Sequence, residues 1–269
     1  MLSEKILLAR AGNFTASENH RLMSGWDKES PDRDYPEFEI LYSAIKTIGS
    51  KPLVGNLKNI VDCSVTGALI EQTWKIIQSE KPPAGLVTYA QEKAIEEFFD
   101  PDPSLNFSTV HTRNGEEREA ECMAILAERT GLKFVNIGDD QAHIHVDGVG
   151  CTPDGIVLDA LDLVDTGAEV KCKSPLEHAK NLLINNNDDL RINAFDHFVQ
   201  IQTCMLVTDA DRWYFANFNP YAKDDAMKFK FIIIKRDDAF IKILIQRIDL
   251  AKEVKASFWL NMEKLRVAV

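Results

Sequence analysis

The stretch GCTPDGIVLDALDLVDTGAEVKCKSP, residues 150–175, reads as buried sheet but carries charges that a buried strand does not normally hold. Short runs of β-branched and apolar residues lie between Asp154 and Glu169, and Val170 separates Glu169 from Lys171. Side chains two apart in a strand point to the same face, so Glu169 and Lys171 are expected side by side, with Val170 facing the opposite way into a core. Asp154 precedes the partner strand of the predicted hairpin. The stretch therefore predicts two carboxylates and a lysine at one end of a sheet.

Two carboxylates and a lysine at one end of a sheet can form a site for a divalent cation. Two converging carboxylates repel each other unless a cation lies between them. Mg²⁺ prefers oxygen ligands and is often held by one or two carboxylates together with a substrate phosphate. A neighbouring lysine can orient the attacking water and neutralise developing charge, which indicates a site that hydrolyses phosphodiesters. The alternative is a solvated Glu/Lys strand end with Pro-Asp-Gly as an ordinary turn, and spacing alone does not separate the two.

The rest of the chain predicts an α+β fold. Residues 37–130 carry apolar residues mostly at helical spacing, and from residue 133 the elements become short and mixed. The predicted strands, the first four taken as consecutive and antiparallel, are 133–137, 142–146, 154–164, 168–172, 212–218 and 227–236. The predicted later helices are 174–183, 193–207 and 237–265. We expect one domain over residues 1–269, a central mixed β-sheet flanked by helices, with a helical N-terminal elaboration at about 24–110.

Composition limits the possible functions. With 269 residues, 45% of them hydrophobic, the chain can bury the core of one large domain. The net charge of −11 argues against a general nucleic-acid coat protein, because such proteins use basic faces to displace counterions from phosphates. It is compatible with a narrow basic channel, or with divalent ions that supply the positive charge. Five scattered cysteines without a C-x-x-C pair indicate neither a disulfide framework nor a zinc or iron–sulfur site.

Several stretches together resemble a known family. TPDG and GAEVKCKSP look like the PD-(D/E)xK restriction-endonuclease-like core, specifically that of the phage lambda-type exonucleases, or YqaJ-like viral recombinases. Further blocks are similar to that family and stand in its order. They are RAGNFTASE (10–18), NGEEREAE (114–121), VQIQTCMLVTDADRWYFANFNP (199–220) and KFKFIIIKRDD (228–238).

The resemblance assigns roles in the catalytic cluster. Asp154 and Glu169 match the metal-binding acidic pair, with the Val170 carbonyl completing the ligand set, and Lys171 matches the catalytic lysine. Glu119 matches a helix glutamate that helps to hold a second ion or its water. Three other glutamates of the same helix compete for that role, namely Glu116, Glu117 and Glu121. The alternative for this segment is a solvated helical face.

The resemblance also assigns a pocket for the terminal 5′-phosphate to Arg10, Ser17, Thr152 and Gln200. Arg10 offers a bidentate fork, and Ser17 opens a short predicted helix whose N–H groups favour an anion. The alternatives are a plain N-cap at Ser17 and an ordinary polar residue at Gln200. Thr152 stands where the family usually has serine and keeps the hydroxyl. Gln202 is expected to face elsewhere.

Other residues that could carry chemistry are interpreted as structural. His143 and His145 share a spacing that can bind a metal, but no third ligand is evident and a surface pair is expected. Trp213, Tyr214 and Phe215 could stack on bases. In a strand that enters a core, packing is the better interpretation.

The resemblance implies a Mg²⁺-dependent 5′→3′ exonuclease that degrades one strand of linear double-stranded DNA to mononucleotides. It implies two ions per site, with Mn²⁺ able to substitute, a homotrimeric ring, and a single-strand annealing protein as partner in recombination. The alternatives are an endonuclease with the same core and a noncatalytic DNA-end-binding recombination scaffold. We expect a cytoplasmic location, because no apolar run reaches the roughly 18 residues that span a bilayer and no signal-peptide pattern is present. If the chain is encoded by a phage or prophage, this is the cytoplasm of the bacterial host.

Overall fold

The structure, a computed structural model, describes residue 6 and residues 9–25, 38–57, 66–99 and 110–267. The chain divides into two compact units, a larger one of residues 1–23 and 88–269 and a smaller one of residues 24–87. None of the helices in the described ranges is long and apolar enough to cross a membrane.

The smaller unit is helical. Its elements are α1 (Phe38–Ile48), α2 (Val54–Leu57), α3 (Gly67–Ser79) and the first turn of α4 (Ala84–Ile95). Apolar residues spaced along these helices form its core, namely Leu41, Ile45, Leu57, Ile70 and Ile77. The single-domain prediction with a helical elaboration at about 24–110 stays a prediction, because residues 26–37, 58–65 and 100–109 lie outside the described part of the chain.

The larger unit holds a small sheet that joins distant parts of the chain. Its strands are β1 (Phe14–Thr15), β2 (Ile144–Val146) and β3 (Val149–Cys151), in the order β1-β3-β2. β1 runs parallel to β3, and β2 forms an antiparallel hairpin with it. The N-terminal segment is therefore fixed beside residues about 135 positions later in the chain.

A second, four-stranded sheet forms the centre of the larger unit. Its strands are β4 (Gly155–Leu158), β5 (Val164–Lys171), β6 (Arg212–Phe218) and β7 (Phe229–Lys235), in that order. β4–β5 and β6–β7 are antiparallel, whereas β5–β6 is parallel. A parallel pair needs a crossover, which is supplied by α6 (Pro175–Leu182), α7 (Asn187–Asn193) and α8 (Phe195–Thr208). The predicted α+β class with a mixed sheet is confirmed.

The core lies between this sheet and α5 (Val110–Thr130). Cys122, Met123 and Leu126 of α5 pack against Val170 and the neighbouring buried residues of β5 and β6. Val170 thus faces the core as predicted, because strand side chains alternate between faces. Trp213, Tyr214 and Phe215 are also buried, which confirms packing as their role. On another side of the molecule, α8 packs against β3 and the long C-terminal helix α9 (Asp238–Val267).

The prediction of consecutive antiparallel strands over residues 133–172 is wrong in two respects. Residues 133–137 form only an isolated bridge, Val135 with Ile156, because Asn136 and Gly138 have positive φ angles and a 3₁₀ turn follows at Gly138–Asp140. Residues 144–151 join the small sheet instead of the central one. The local pattern correctly indicates extended chain, but not which sheet receives it.

Helix α6, predicted at residues 174–183, begins at Pro175 with Ser174 as its N-cap residue, and proline is favoured at the first helical position. Ser174 and Glu177 stand at the spacing of a reciprocal capping box, but they do not form one. Ser174 forms no side-chain capping hydrogen bond, and Glu177 accepts a hydrogen bond from Lys180 Nζ at 2.9 Å. Pro175 therefore stabilises the first turn of α6 more than the Ser174 hydroxyl does.

We expect Gly167→Ala to destabilise the larger unit. Gly167 pairs with Trp213 across β5 and β6, and a Cβ at this position would overlap the fully buried indole ring. Overpacking of this kind lowers the free energy of unfolding by about 1–3 kcal/mol. Denaturant unfolding followed by tryptophan fluorescence measures the change.

Gly55→Ala is the matched control, because no atom lies within 4 Å of the Cβ it would add. It should leave the unfolding midpoint unchanged or slightly raised. An equally stable Gly167→Ala variant would mean that the ring and strand can move apart at little cost.

Candidate active site

The end of β5 carries a compact cluster of charged side chains. Glu169 is 2% exposed, and its Oε1 accepts a hydrogen bond from Lys171 Nζ. Asp154 Oδ2 accepts a 2.7 Å hydrogen bond from the Val170 N–H, and its Oδ1 lies 3.5 Å from Gln141 Nε2. The β4–β5 hairpin brings the two acids together, because Gly155, next to Asp154, pairs with the residue before Glu169. The predicted convergence of two carboxylates and a lysine is present.

Glu119 joins the cluster from α5. Its carboxyl interacts electrostatically with those of Asp154 and Glu169 and with the Lys171 ammonium. Glu119 is half-buried, whereas Glu121 is exposed to solvent. The side chains of Glu116 and Glu117 lie outside those that the structure describes. Between Glu119 and Glu121, the geometry favours Glu119 as the helix glutamate.

The environment of the cluster shifts its ionisation. Burial, and then the neighbouring Glu169 carboxylate, raise the pKa of Asp154 well above its usual value. Burial also raises the pKa of Glu119, against the opposing effect of Lys171. For Lys171, burial lowers the pKa, but the attraction of Glu169 and Asp154 outweighs it and leaves the pKa raised. The lysine is therefore a fixed positive charge among competing acids.

The cluster fits a hard divalent cation. Glu169 Oε2 is buried without a hydrogen-bond partner, which costs free energy unless something binds it. The Val170 carbonyl leaves β5 on the same edge as the N–H that binds Asp154, since both groups of a strand residue point to one side. Two carboxylates and a carbonyl are the ligands that Mg²⁺ prefers. No group of three or more His, Cys, Asp or Glu side chains in the described residues is already arranged as a metal site, so water or substrate oxygens would have to complete the shell.

The small sheet brings together most of the predicted phosphate pocket. The parallel pairing of Thr15 with Gly150, continued by the 2.8 Å hydrogen bond from the Ala16 N–H to the Gly150 carbonyl, places Ser17 and Thr152 beyond the same end of the two strands. Arg10 Nη2 donates a 3.0 Å hydrogen bond to Ser17 Oγ. The N-terminal segment of Arg10 and Ser17 thus meets the segment of Thr152, which lies far along the chain.

The helix predicted to open at Ser17 is instead a 3₁₀ turn over Asn19–Met23. Ser17 lies before it in a turn, and its carbonyl is 3.1 Å from His20 Nδ1. The prediction of a helix N-terminus at Ser17 that would attract an anion is therefore wrong. The local reason is that Ala16 continues the pairing of β1 with β3, which holds the chain extended up to this point.

His143 belongs to this pocket, contrary to the surface pair predicted for it. Its Nδ1 lies 3.1 Å from Thr152 Oγ1, and its half-buried ring stacks on His145 with centroids 5.9 Å apart. Burial, together with Arg10 and His145, lowers the pKa of His143 to about 4. The ring is accordingly neutral near pH 7. In the sequence His143 is marked only by the pattern His-x-His, and this pattern does not show whether the side chain lies in a pocket or on the surface.

Helix α8 carries the remaining candidate, Gln200. The helix packs against β3 and the Asn19–Met23 turn, and Gln200 is half-buried on it. No hydrogen bond within the described residues joins Gln200 to the other pocket residues. Gln202 faces elsewhere as predicted, because its amide binds the Lys235 carbonyl and the Asp237 N–H, each at 2.9 Å.

His197, in the first turn of α8, was missed by the sequence analysis. Its ring centroid lies 5.7 Å from that of Phe215, which pairs with Glu169 across β5 and β6. Burial, followed by the positive charge of Lys171, lowers the pKa of His197 to about 3. A neutral imidazole therefore lies within the electrostatic field of the Lys171 ammonium. Only the packing of α8 places it there.

More than half of the chain matches one known protein family. The YqaJ-like viral recombinase domain matches residues 65–211. The chain belongs to the YqaJ-like viral recombinase family. The predicted membership is confirmed, and the matched span of the chain contains both the charged cluster and Gln200. Arg10 and Ser17 lie N-terminal to it.

Solved structures similar to this YqaJ-like chain cover nearly all of it. An alkaline exonuclease, LHK-Exo, from Laribacter hongkongensis gives a TM-score of 0.62 at 17% identity, covering 99% of this chain and 100% of that one. LHK-Exo in complex with dAMP gives 0.61 at 17%, covering 99% and 97%. A phage-related exonuclease from Haemophilus somnus 129PT gives 0.53 at 14%, covering 82% and 95%. The shared fold confirms the predicted α+β architecture, and the PD-(D/E)xK core is consistent with it. No protein of curated function matches the chain.

We expect Gly150→Ala to displace His143 from the pocket. A Cβ on Gly150 would overlap the imidazole ring, whose Nε2 is buried without a hydrogen-bond partner. Since burial is the main cause of the low pKa, the pKa of His143 should rise from about 4 towards the ordinary value of about 6.5. NMR titration of the His143 ring protons measures the shift, with Gly55→Ala as the control. An unchanged titration would mean that the β3 backbone moves instead of the ring.

Proposed function

We propose that the chain is a Mg²⁺-dependent 5′→3′ exonuclease that degrades one strand of linear double-stranded DNA to mononucleotides. The observation that carries the proposal is the buried Glu169 carboxylate, which keeps one oxygen without a partner beside Asp154 and the Lys171 ammonium. Membership of a viral recombinase family supports a role in homologous recombination by single-strand annealing. The dAMP in one LHK-Exo structure is a nucleotide of the kind that this reaction would release.

In this proposal Asp154, Glu169, Glu119 and the Val170 carbonyl hold two divalent ions, with Mn²⁺ able to replace Mg²⁺. When bound, such ions activate water and stabilise the leaving oxygen. The Val170 N–H fixes the orientation of Asp154. Lys171, protonated because of the surrounding acids, provides positive charge where charge develops on the phosphate.

The second part of the site sets where the strand is cut. Arg10, Ser17 and Thr152 would bind the terminal 5′-phosphate, with Gln200 approaching from α8. A fixed distance between this pocket and the charged cluster would select the first phosphodiester by position, so no base needs to be recognised. The Arg10 guanidinium donates one hydrogen bond to the Ser17 hydroxyl and has further N–H donors for phosphate oxygens.

The acidic composition is compatible with DNA as substrate. Basic side chains need only line the path of the DNA while the remaining surface stays negative. A homotrimeric ring around the duplex, working with a single-strand annealing protein, would provide such a path. Both remain proposals, supported by the family resemblance.

The decisive test uses linear duplexes labelled at the 5′ or 3′ end, with and without Mg²⁺. The wild type should release mononucleotides from 5′-phosphorylated ends when Mg²⁺ is present. Lys171→Ala should reduce cleavage at least about a hundredfold, because it removes a charge that stabilises the transition state, while DNA-end binding is retained. Lys180→Ala is the control, since this exposed lysine pairs only with Glu177 on α6 in the described residues.

Each alternative gives a different result in the same assay. Binding of ends without release of nucleotides would indicate a noncatalytic scaffold, and cleavage of closed circles would indicate an endonuclease. Full activity of Lys171→Ala would remove this lysine from the mechanism.

We expect Arg10→Ala to erase the preference for 5′-phosphoryl over 5′-hydroxyl ends. A charge-assisted hydrogen bond is worth about 1.5–3 kcal/mol, so the preference should fall by roughly 10- to 100-fold. The ratio of kcat/KM for the two substrates measures it. Arg129→Ala, an exposed arginine at the end of α5, is the control. An unchanged ratio would place the phosphate pocket elsewhere.

A further inference from the structure

An exposed tyrosine and an arginine form a ledge beside the charged cluster. The Arg118 guanidinium carbon lies 4.9 Å from the centroid of the Tyr221 ring, within the range of a cation–π contact. Arg118 directly precedes Glu119 on α5, and Tyr221 follows the end of β6. Tyr221 is 73% exposed, whereas Tyr89 and Tyr214 are 1% and 6% exposed. We call this pair, Arg118 and Tyr221, the ledge.

The position of Tyr221 is fixed by a buried asparagine. Asn219 is 4% exposed, its Nδ2 donates to the Lys173 carbonyl at 3.1 Å, and its Oδ1 accepts from the Tyr221 N–H at 3.0 Å. The Asn219 N–H in turn binds the Lys228 carbonyl at 2.9 Å. Lys173 lies two residues beyond Lys171, so the turn that carries Tyr221 is tied to the strand end that carries the charged cluster.

Arg118 has no carboxylate partner among the described side chains. It forms no ion pair with the side chains that the structure describes, whereas Arg212 at the other end of β6 pairs with Asp165 at 2.9 Å. A guanidinium held on an aromatic ring keeps its N–H donors directed outward, and phosphate oxygens are its natural acceptors. Arg118 therefore offers a positive charge that can contact a phosphate, although the chain as a whole carries a net charge of −11.

We propose that the ledge binds the DNA strand next to the charged cluster. Tyr221 stacks on a nucleobase, and Arg118 contacts a neighbouring phosphate. Stacking on an aromatic ring tolerates any base, which suits an enzyme that removes nucleotides regardless of sequence. The inference rests on the proposed function, since it requires DNA at this site. The competing interpretation is that Arg118 only braces the turn against α5.

The test measures binding of a 5′-phosphorylated duplex to the Lys171→Ala chain, which should bind ends without cutting them. 2-Aminopurine placed singly at successive positions from the 5′ end reports stacking through quenching of its fluorescence. We expect Tyr221→Ala to weaken binding about tenfold and to abolish the quenching at one position, whereas Tyr221→Phe retains both. Phe99→Ala, another exposed aromatic residue, is the matched control.

Arg118→Ala is tested by the salt dependence of the same binding. Loss of one phosphate contact should reduce the slope of log Kobs against log salt concentration by about 0.7–0.9, and Arg129→Ala should leave it unchanged. A brace without DNA contact would change the unfolding midpoint and leave the salt slope and the quenching pattern intact, which would overturn the proposal. Nuclease activity is scored separately in the wild-type background. If the wild type cuts DNA ends but the ledge variants bind DNA as the parent does, the proposal for the ledge fails and the proposed function stands. If the ledge variants lose binding but the wild type cuts no ends, the ledge binds DNA and the proposed nuclease activity fails.

Discussion

The structure depends on keeping a negative charge almost entirely out of water. Glu169 is 2% exposed, and burial of an ionised carboxylate is costly unless partners replace its hydration. Lys171, two residues along the same strand face, provides one partner. The neighbouring acid Asp154 is bound by the backbone N–H of Val170, so the strand itself helps to offset the repulsion between the two carboxylates. This explains why β5 must be both a core strand and the carrier of the charged cluster.

One face of β5 packs in the core, and the other face carries charged side chains. Val170 and Ala168 pack with α5 against the hydrophobic core, while Glu169 and Lys171 lie on the opposite face. The same helix that covers the apolar face supplies Glu119, whose electrostatic interactions reach the charged side chains. Packing and charge placement are therefore coupled, since a helix positioned by Met123 and Leu126 also determines where its glutamate lies.

A buried polar atom without a hydrogen-bond partner lowers the stability of the fold. Glu169 Oε2 and His143 Nε2 are both buried without hydrogen-bond partners, one in the charged cluster and one beside Thr152. Most buried polar groups are paired, but seven other buried side-chain atoms of the described residues also lack a partner, so an unpartnered atom gains meaning only beside other chemically suited groups, as Glu169 Oε2 does beside Asp154 and Lys171.

The sequence by itself determined what depends on neighbours along the chain. The alternation that places Glu169 and Lys171 on one face and Val170 on the other follows from strand geometry, and the strand predicted at residues 212–218 has those bounds in the structure. The α+β class followed from the change of periodicity near residue 133. These features need only a local pattern, and for that reason they could be predicted.

Only the tertiary structure decided which distant segments meet. The parallel pairing of β1 with β3 joins Ser17 to Thr152, and the packing of α8 brings His197 into the field of Lys171. No local pattern marks His143 as a pocket residue or Tyr221 as a fixed, exposed ring, because both depend on contacts with residues far along the chain. Periodicity shows which face of an element is buried, whereas the identity of its partner is set by the packing of the whole molecule.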